Sequence, residues 1–246
     1  MIEFGLIGKS LKHSFSKTYF EKKFKELGLV NYAYLNFELP SIIDFEKLIS
    51  EHSSLKGLNV TIPYKELIIP FLDDLSSEAK EIGAVNCIHI RDGKKTGYNT
   101  DAYGFSQSIK PFLDTNHERA LILGTGGASK AIAYALKKVG VEVYFVTSSA
   151  IKEKANSFFY NEINELVMNA FKLIVNTTPL GTTPNEKEYP NLPYQLFTSD
   201  HLAYDLVYNP PETEFLKKAK EFGAVTMNGL SMLHLQAEKS WEIWQG

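Results

Sequence analysis

The chain has 246 residues, 44% hydrophobic and 22% charged, which is ordinary globular usage with enough apolar material for one large domain or two modest ones. A net charge of −3 excludes the broad basic field that holds nucleic-acid backbones, and the single cysteine, Cys87, excludes an internal disulfide or a cysteine metal cluster. The six histidines are scattered with no close pair at ligand spacing, no apolar run approaches the ~20 residues of a bilayer span, and Met1-Ile2-Glu3 carries an acid where a leader would be basic. A cytoplasmic protein is expected, with no metal, no nucleic-acid partner and no membrane partner.

Strand and helix patterns alternate from start to end, as in a parallel or mostly parallel sheet covered by helices. Ile2, Phe4 and Leu6 alternate as one strand face. Phe20, Phe24 and Leu27 recur at helical spacing, with Gly28 where that helix should stop. The pattern predicts a strand over 32–37, a helix over 42–49, and a strand through Leu58, Val60 and Ile62 that Pro63 cuts off. Residues 87–91 and 94–98 flank Asp92-Gly93, a hairpin signal. The character changes after about residue 103. Ala120-Leu121-Ile122-Leu123 is a continuous apolar strand, as expected when both sheet faces are covered. A helix follows with Ile132, Ala135, Leu136 and Val139 on one face. Strands are predicted over 141–146, 173–175 and 203–207, helices over 212–222 and 231–244, and a surface loop over 182–193. These patterns predict an α/β chain with boundaries near residues 102 and 227.

Gly124-Thr125-Gly126-Gly127-Ala128-Ser129 lies between a predicted strand and a predicted helix, the context in which a glycine turn binds a dinucleotide. The first glycine permits the tight turn, the second lets the backbone approach a pyrophosphate, and the helix N-terminus supplies N–H donors and partial positive charge. Ser129 stands where a third glycine is usual. A plain strand–helix turn is the bland alternative. The next strand ends in Val146-Thr147-Ser148-Ser149, without the acid that binds ribose hydroxyls in NAD sites. Hydroxyls of Thr147, Ser148 and Ser149, with Lys152 or Lys154, suit the 2′-phosphate of NADP; alternatively these residues only cap the following helix.

Further polar residues sit at predicted element ends in the first hundred positions. Ser14 and Ser16 flank Phe15 before a helix, Asn59 and Thr61 alternate with Val60 and Ile62, Lys65 follows, Asn86 closes Gly83-Ala84-Val85-Asn86, and Asp101 ends Asn99-Thr100-Asp101. Singly each has a bland reading: helix caps for the serines and Asp101, a surface lysine for Lys65, a turn for Asn86. Together with Asn176-Thr177-Thr178-Pro179-Leu180-Gly181, Asp205-Leu206-Val207-Tyr208-Asn209-Pro210 and Asn228-Gly229-Leu230-Ser231-Met232-Leu233, followed by Gln236, they form an ordered set. His13-Ser14-Phe15-Ser16, Asn59-Val60-Thr61-Ile62-Pro63-Tyr64-Lys65 and Asn99-Thr100-Asp101-Ala102-Tyr103-Gly104 are its most specific pieces. Over nearly its whole length the sequence resembles the shikimate dehydrogenases. It departs from them in Thr147-Ser148-Ser149, where the family often has Asn-Arg-Thr, which bears on the strength of NADP preference, and in lacking the methionine often found after Gly181.

The resemblance implies reversible, NADPH-dependent reduction of 3-dehydroshikimate to shikimate on the pathway to chorismate and aromatic amino acids. It implies an N-terminal α/β substrate domain (1–102, with 228–246 packing back onto it as a returning C-terminal helix) and a Rossmann-type, doubly wound NADP-binding domain (103–227). Lys65 and Asp101 are the implied catalytic pair. Ser14, Ser16, Asn59, Thr61, Asn86, Tyr208 and Gln236 are the implied substrate contacts. The glycine turn (Gly124, Thr125, Gly126, Gly127, Ala128, Ser129), Thr147, Ser148, Ser149, Thr177, Thr178, Leu206, Gly229 and Met232 are expected at the cofactor. Trp241 and Trp244 are expected to pack rather than stack on a ligand. Oligomeric state stays open between monomer and homodimer. The alternatives are an NAD-preferring quinate/shikimate dehydrogenase and, more remotely, a non-catalytic ligand-binding regulator, which would be expected to have lost Lys65 or Asp101.

Overall fold

The computed structural model describes residues 1–11, 14–149 and 156–246. It divides into two compact units, the first built from Met1–Thr100 and Ala237–Gly246, the second from Asp101–Gln236. No helix among the described residues is long and apolar enough to cross a membrane.

The first unit runs β1 (Ile2–Gly8), α1 (Phe15–Glu26), β2 (Tyr32–Glu38), α2 (Phe45–Glu51), β3 (Leu55–Val60), α3 (Tyr64–Leu67), β4 (Asp74–Leu75), α4 (Ser77–Ile82), β5 (Cys87–Arg91) and β6 (Lys94–Tyr98). Its sheet has the order β2-β1-β3-β5-β6-β4. The first strands are parallel, and β3, β5 and β6 run antiparallel in turn. Side chains of β1 alternate between two cores, as the period of a strand requires: Phe4 and Leu6 join an aromatic-rich cluster, Ile7 an aliphatic one. The Asp92-Gly93 hairpin forms with both residues at positive φ, the geometry a two-residue turn between twisted strands favours.

Two expectations need correction here. Strand β3 stops at Val60, and Ile62 is 68% exposed. Thr61 still donates its N–H to Ile7 O, but proline at 63 has no N–H to extend a ladder and the chain turns into α3. Leu27 is not on the buried face of α1; it is the C-cap and 54% exposed, while Phe20 and Phe24 are buried.

The second unit runs α5 (Asp101–Ile109), β7 (Arg119–Leu123), α6 (Gly127–Lys138), β8 (Glu142–Thr147), β9 (Ser157–Phe159), α7 (Glu165–Ala170), β10 (Leu173–Asn176), β11 (Leu202–Asp205), α8 (Glu214–Glu221), β12 (Val225–Met227) and the start of α9 (Leu230–Gln245), which continues into the first unit. Its strands are all parallel in the order β12-β11-β10-β7-β8-β9. Numbered within the unit that order is 3-2-1-4-5-6 from the β9 edge, the doubly wound arrangement whose direction of winding reverses between β7 and β10. Residues 120–123 are wholly buried, which is why that strand is apolar without alternation.

Candidate active site

In an open parallel sheet a ligand binds beyond the carboxyl ends of the strands at the winding reversal. Gly124, at the end of β7, has φ +105° and donates its N–H to Val146 O at 2.9 Å. A Cβ there would meet Thr177 Oγ1 at 3.0 Å and Thr178 Cγ2 at 3.2 Å, so the β7 and β10 ends approach closely only because this residue is glycine. Gly126 is the N-cap of α6, and a Cβ on it would meet nothing within 4 Å. The turn therefore leaves open space in front of the first N–H groups of α6, which by helix geometry have no acceptor within the helix. Thr125, Gly127 and Ala128 complete this cradle, and it fits a pyrophosphate. Ser129 is fully buried, and its hydroxyl donates to Gly126 O at 2.6 Å; the hydroxyl is absorbed by the turn itself.

The neighbouring strand ends are tied by one buried carboxylate. Asp205 accepts from Asn176 Nδ2 at 2.9 Å, Val207 N at 3.0 Å and Thr213 Oγ1 at 2.5 Å. Burial pushes its carboxyl up to about 6 against the pull of those three donors. Asn176 passes the restraint on: its Oδ1 accepts from both the N–H and the hydroxyl of Thr178, and its carbonyl accepts from Leu206 N at 2.9 Å. Thr177 bonds Leu123 O through N–H and hydroxyl at 3.0 and 2.6 Å. Gly229 donates to Val207 O at 3.2 Å, and a Cβ on it would lie 2.1 Å from Leu206 O, so only glycine fits. Met232 is buried on α9, as is Gln236, whose Nε2 donates to Leu233 O at 3.0 Å. Tyr208 is half-buried, and burial raises its phenol. At the end of β8, Thr147 Oγ1 accepts from Ser149 N at 3.0 Å, and Ser148 and Ser149 are exposed. Lys152 and Lys154 lie outside the described residues.

In the first unit the expected residues lie at the start of α1, in and after β3, in α3 and just before β5. Ser14 caps α1, accepting from Lys17 N at 3.4 Å, so the capping role is real; His13 beside it lies outside the described residues. Ser16 is buried within the first turn of α1. Thr61 follows β3, its methyl against the position a Gly8 Cβ would take. Lys65 sits in α3, half-buried, its carbonyl accepting from Val85 N at 2.7 Å. Asn59 and Asn86 are buried, and Asn86 exchanges two bonds with Thr100: its Nδ2 donates to Thr100 Oγ1 at 3.0 Å and its Oδ1 accepts from Thr100 N at 2.6 Å. Asp101, one residue on, is buried at the start of α5 in the second unit.

Residues with no distinguishing sequence signal also enter. Tyr34 is one apolar position among several on β2, yet its hydroxyl donates to Asn59 Oδ1 at 2.8 Å. Ser240 sits inside α9, yet accepts from Asn59 Nδ2 at 2.9 Å. Among the described residues no group of three or more His, Cys, Asp or Glu is arranged to hold a metal ion.

The turn at Gly124 sets a testable cost. Gly124→Ala forces a side chain into positive φ, strain of about 1–3 kcal/mol, beside Thr177. The variant is expected to weaken dinucleotide binding about tenfold, read by calorimetry, while the Tm of the protein falls by only a few degrees.

Comparison with known proteins agrees with this geometry. A family profile described as shikimate dehydrogenase substrate binding domain matches residues 6–88. The chain is 43% identical to shikimate dehydrogenase (NADP(+)) of Carboxydothermus hydrogenoformans over 98% of its own length and 91% of that protein. Among solved structures it is similar to shikimate dehydrogenase from Aquifex aeolicus (TM-score 0.89, 37% identity, covering 100% of this chain and 93% of that one). It is also similar to the Thermus thermophilus enzyme in complex with NADP(H) and shikimate (TM-score 0.88, 32% identity, 100% and 94% covered). With two α/β units, a 3-2-1-4-5-6 parallel sheet around a glycine cradle, and likeness running the full length of the chain, the protein belongs to the shikimate dehydrogenase family.

Proposed function

We propose that the protein is an NADP-dependent oxidoreductase that reversibly reduces 3-dehydroshikimate to shikimate in the cytoplasm, on the route to chorismate and aromatic amino acids. The observation that carries the reading is the cradle at Gly124–Ser129 on the winding reversal of the second unit, in a chain alike over its whole length to curated shikimate dehydrogenases. The second unit takes the dinucleotide, with Gly124, Thr125, Gly126, Gly127, Ala128 and Ser129 at the pyrophosphate. Gly229 and Met232 are assigned beside the nicotinamide, and Thr177, Thr178 and Leu206 elsewhere along the dinucleotide. NADPH, when bound, supplies the hydride that reduces the C3 ketone.

The chain's own part is the proton and the positioning. Lys65 acts as general acid at the ketone oxygen during reduction and as general base at the C3 hydroxyl during oxidation, a role worth typically 10²–10⁴-fold. Asp101, buried at the start of α5, is the second residue of the catalytic pair that the resemblance implies. Ser14 and Ser16, at the N-terminus of α1, suit the substrate carboxylate. Asn59, Thr61 and Asn86 of the first unit recognise ring hydroxyls. Neutral donors suit this task, because a hydroxyl-bearing ring that leaves a buried polar group unmatched is penalised by about 1–3 kcal/mol.

The end of β8 supports NADP. No Asp or Glu stands at 147–149 to repel a 2′-phosphate, and three hydroxyls do. Ser148→Asp is expected to lower kcat/KM with NADP at least tenfold while kcat/KM with NAD holds or rises; equal losses with both cofactors would move phosphate recognition elsewhere. The reaction itself is tested by supplying 3-dehydroshikimate and NADPH and separating the products: shikimate forms in step with NADPH oxidation, or the reading fails.

A further inference from the structure

One carboxylate of the second unit joins segments that the proposed reaction leaves unconnected. Asp205, fully buried at the end of β11, accepts from Asn176 Nδ2 on β10 at 2.9 Å and from Val207 N at 3.0 Å. It also accepts from the hydroxyl of Thr213, the N-cap of α8, at 2.5 Å. Two of these ties run on to residues assigned to the dinucleotide. Asn176 Oδ1 accepts the N–H of Thr178 at 3.1 Å and its hydroxyl at 2.7 Å, and the Asn176 carbonyl accepts Leu206 N at 2.9 Å. The Val207 carbonyl accepts Gly229 N at 3.2 Å.

Folding alone does not call for a carboxylate at this place. Among the described residues its hydrogen-bond partners are all neutral donors, and burying a charge without a cation is costly. The cost shows in its proton affinity, which burial pushes up to about 6. Replacing paired buried polar groups by apolar ones of the same shape is often nearly neutral, so a core built only for stability would leave this cluster out. What aspartate supplies is capacity. An ionised carboxylate only accepts, and it has about four acceptor sites on two oxygens. That is enough to hold a strand, the turn after its own strand, and a helix cap at once. Asparagine has one oxygen, which serves two of the three donors.

We infer that Asp205 is a positioning residue for the dinucleotide. Without touching the ligand, it fixes Thr178 and Leu206 through Asn176, and Gly229 through Val207. The inference rests on the reading that the second unit takes NADP. Its effect falls on cofactor affinity rather than on the chemical step, because a binding surface held in one arrangement beforehand loses less freedom when the ligand arrives.

The test compares wild type with Asp205→Ala, Asp205→Asn, Asn176→Val and Thr213→Val. It reads the calorimetric Kd for NADP, the kcat at saturating NADP and shikimate, and the Tm. Asp205→Ala removes every tie, and Asn176→Val cuts the first link while placing a residue suited to a buried strand. Both are expected to raise the NADP Kd about five- to tenfold, the net value of roughly one hydrogen bond, with kcat changed less than about threefold. Asp205→Asn keeps an acceptor for Asn176 and Val207 and restores the Kd to within about threefold of wild type. Thr213→Val loses the cap of α8, so its Tm falls while its NADP Kd stays within about twofold. A normal NADP Kd in Asn176→Val overturns the inference, whether or not Asp205→Ala folds. So does a Thr213→Val protein that binds NADP as weakly as Asn176→Val, since affinity would then follow stability. An Asp205→Asn protein as weak as Asp205→Ala also overturns it. Wild type that binds no NADP removes the inference together with the functional reading. Wild type that binds NADP but does not oxidise shikimate loses the reaction alone, and the Kd values still decide the role of Asp205.

Discussion

Lys65→Ala lowers kcat for shikimate oxidation about 10²–10⁴-fold, the range expected for losing a general acid–base group, and leaves the Tm within the spread of surface substitutions. The structural basis is the separation between its backbone and its side chain. The Lys65 carbonyl accepts the Val85 N–H, a bond that alanine keeps, while the side chain leaves a half-buried position whose truncation opens no core cavity. Followed by NADP absorbance, the loss falls on kcat and kcat/KM alike, because a proton is transferred only in the transition state. Asp101→Asn keeps the shape at the start of α5 and removes the charge, and its loss of turnover is smaller. A Lys65→Ala protein that retains more than a tenth of wild-type kcat would remove lysine from the proton-transfer role.

The largest expected stability effect lies at Gly57, on β3. A Cβ there would sit 2.2 Å from Trp244 Nε1, 2.3 Å from its Cδ1 and 2.5 Å from its Cε2. Trp244 cannot give way cheaply. Its ring stacks on Phe4 at 4.9 Å, lies 5.3 Å from Phe20, and its indole N–H donates to Ile88 O at 2.9 Å in a buried site. Gly57→Ala therefore either displaces the ring, costing the Trp244 indole N–H its acceptor, or pushes β3 away from the ring. Overpacking typically costs about 1–3 kcal/mol, and a lost buried hydrogen bond about 0.5–1.5 kcal/mol more. The first unit should unfold on the order of 10 °C lower than wild type, with tryptophan emission shifted to the red as the indole meets water. An unchanged Tm would mean the strand and ring move apart without cost.

The residues most legible in the sequence are those whose chemistry follows from a short local pattern. Residues 120–123 read as a strand buried on both faces because they are apolar without alternation, and they are. Asp92-Gly93 read as a hairpin because two positive φ angles in a row leave few other residues possible. The Gly124 turn was legible for the same reason. Elements shorter than two helical turns escaped: α3, α4 and α7 hold too few residues for a period to show, and β4, β9 and β12 are recognised only by their sheet partners. The helix expected over 212–222 begins later because Thr213 is its cap, accepting from Leu216 N while its hydroxyl donates to Asp205. The packing role expected of Trp241 and Trp244 appears as ring contacts with Phe4 and Phe24.

The site was legible in a different way. Local pattern alone left Ser14 a helix cap, which it is, and Lys65 a surface lysine; only the ordered set of motifs gave them a joint meaning. Tyr34 and Ser240 stayed hidden because their significance is a matter of distance in space. Each is an ordinary residue for its strand or helix, and Ser240 stands 181 positions from the Asn59 amide that donates to it. Nor could the division of α9 be read from its pattern, which is continuous through the point where Gln236 ends the second unit and Ala237 rejoins the first.

The central claim, that this chain exchanges hydride between shikimate and NADP, is tested most directly by the initial rate of cofactor reduction with wild-type protein and saturating shikimate, once with NADP and once with NAD. The account predicts saturable turnover with a kcat/KM for NADP at least tenfold above that for NAD. A preference for NAD would contradict the role given to Thr147, Ser148 and Ser149, and no reduction of either cofactor would contradict the reaction itself.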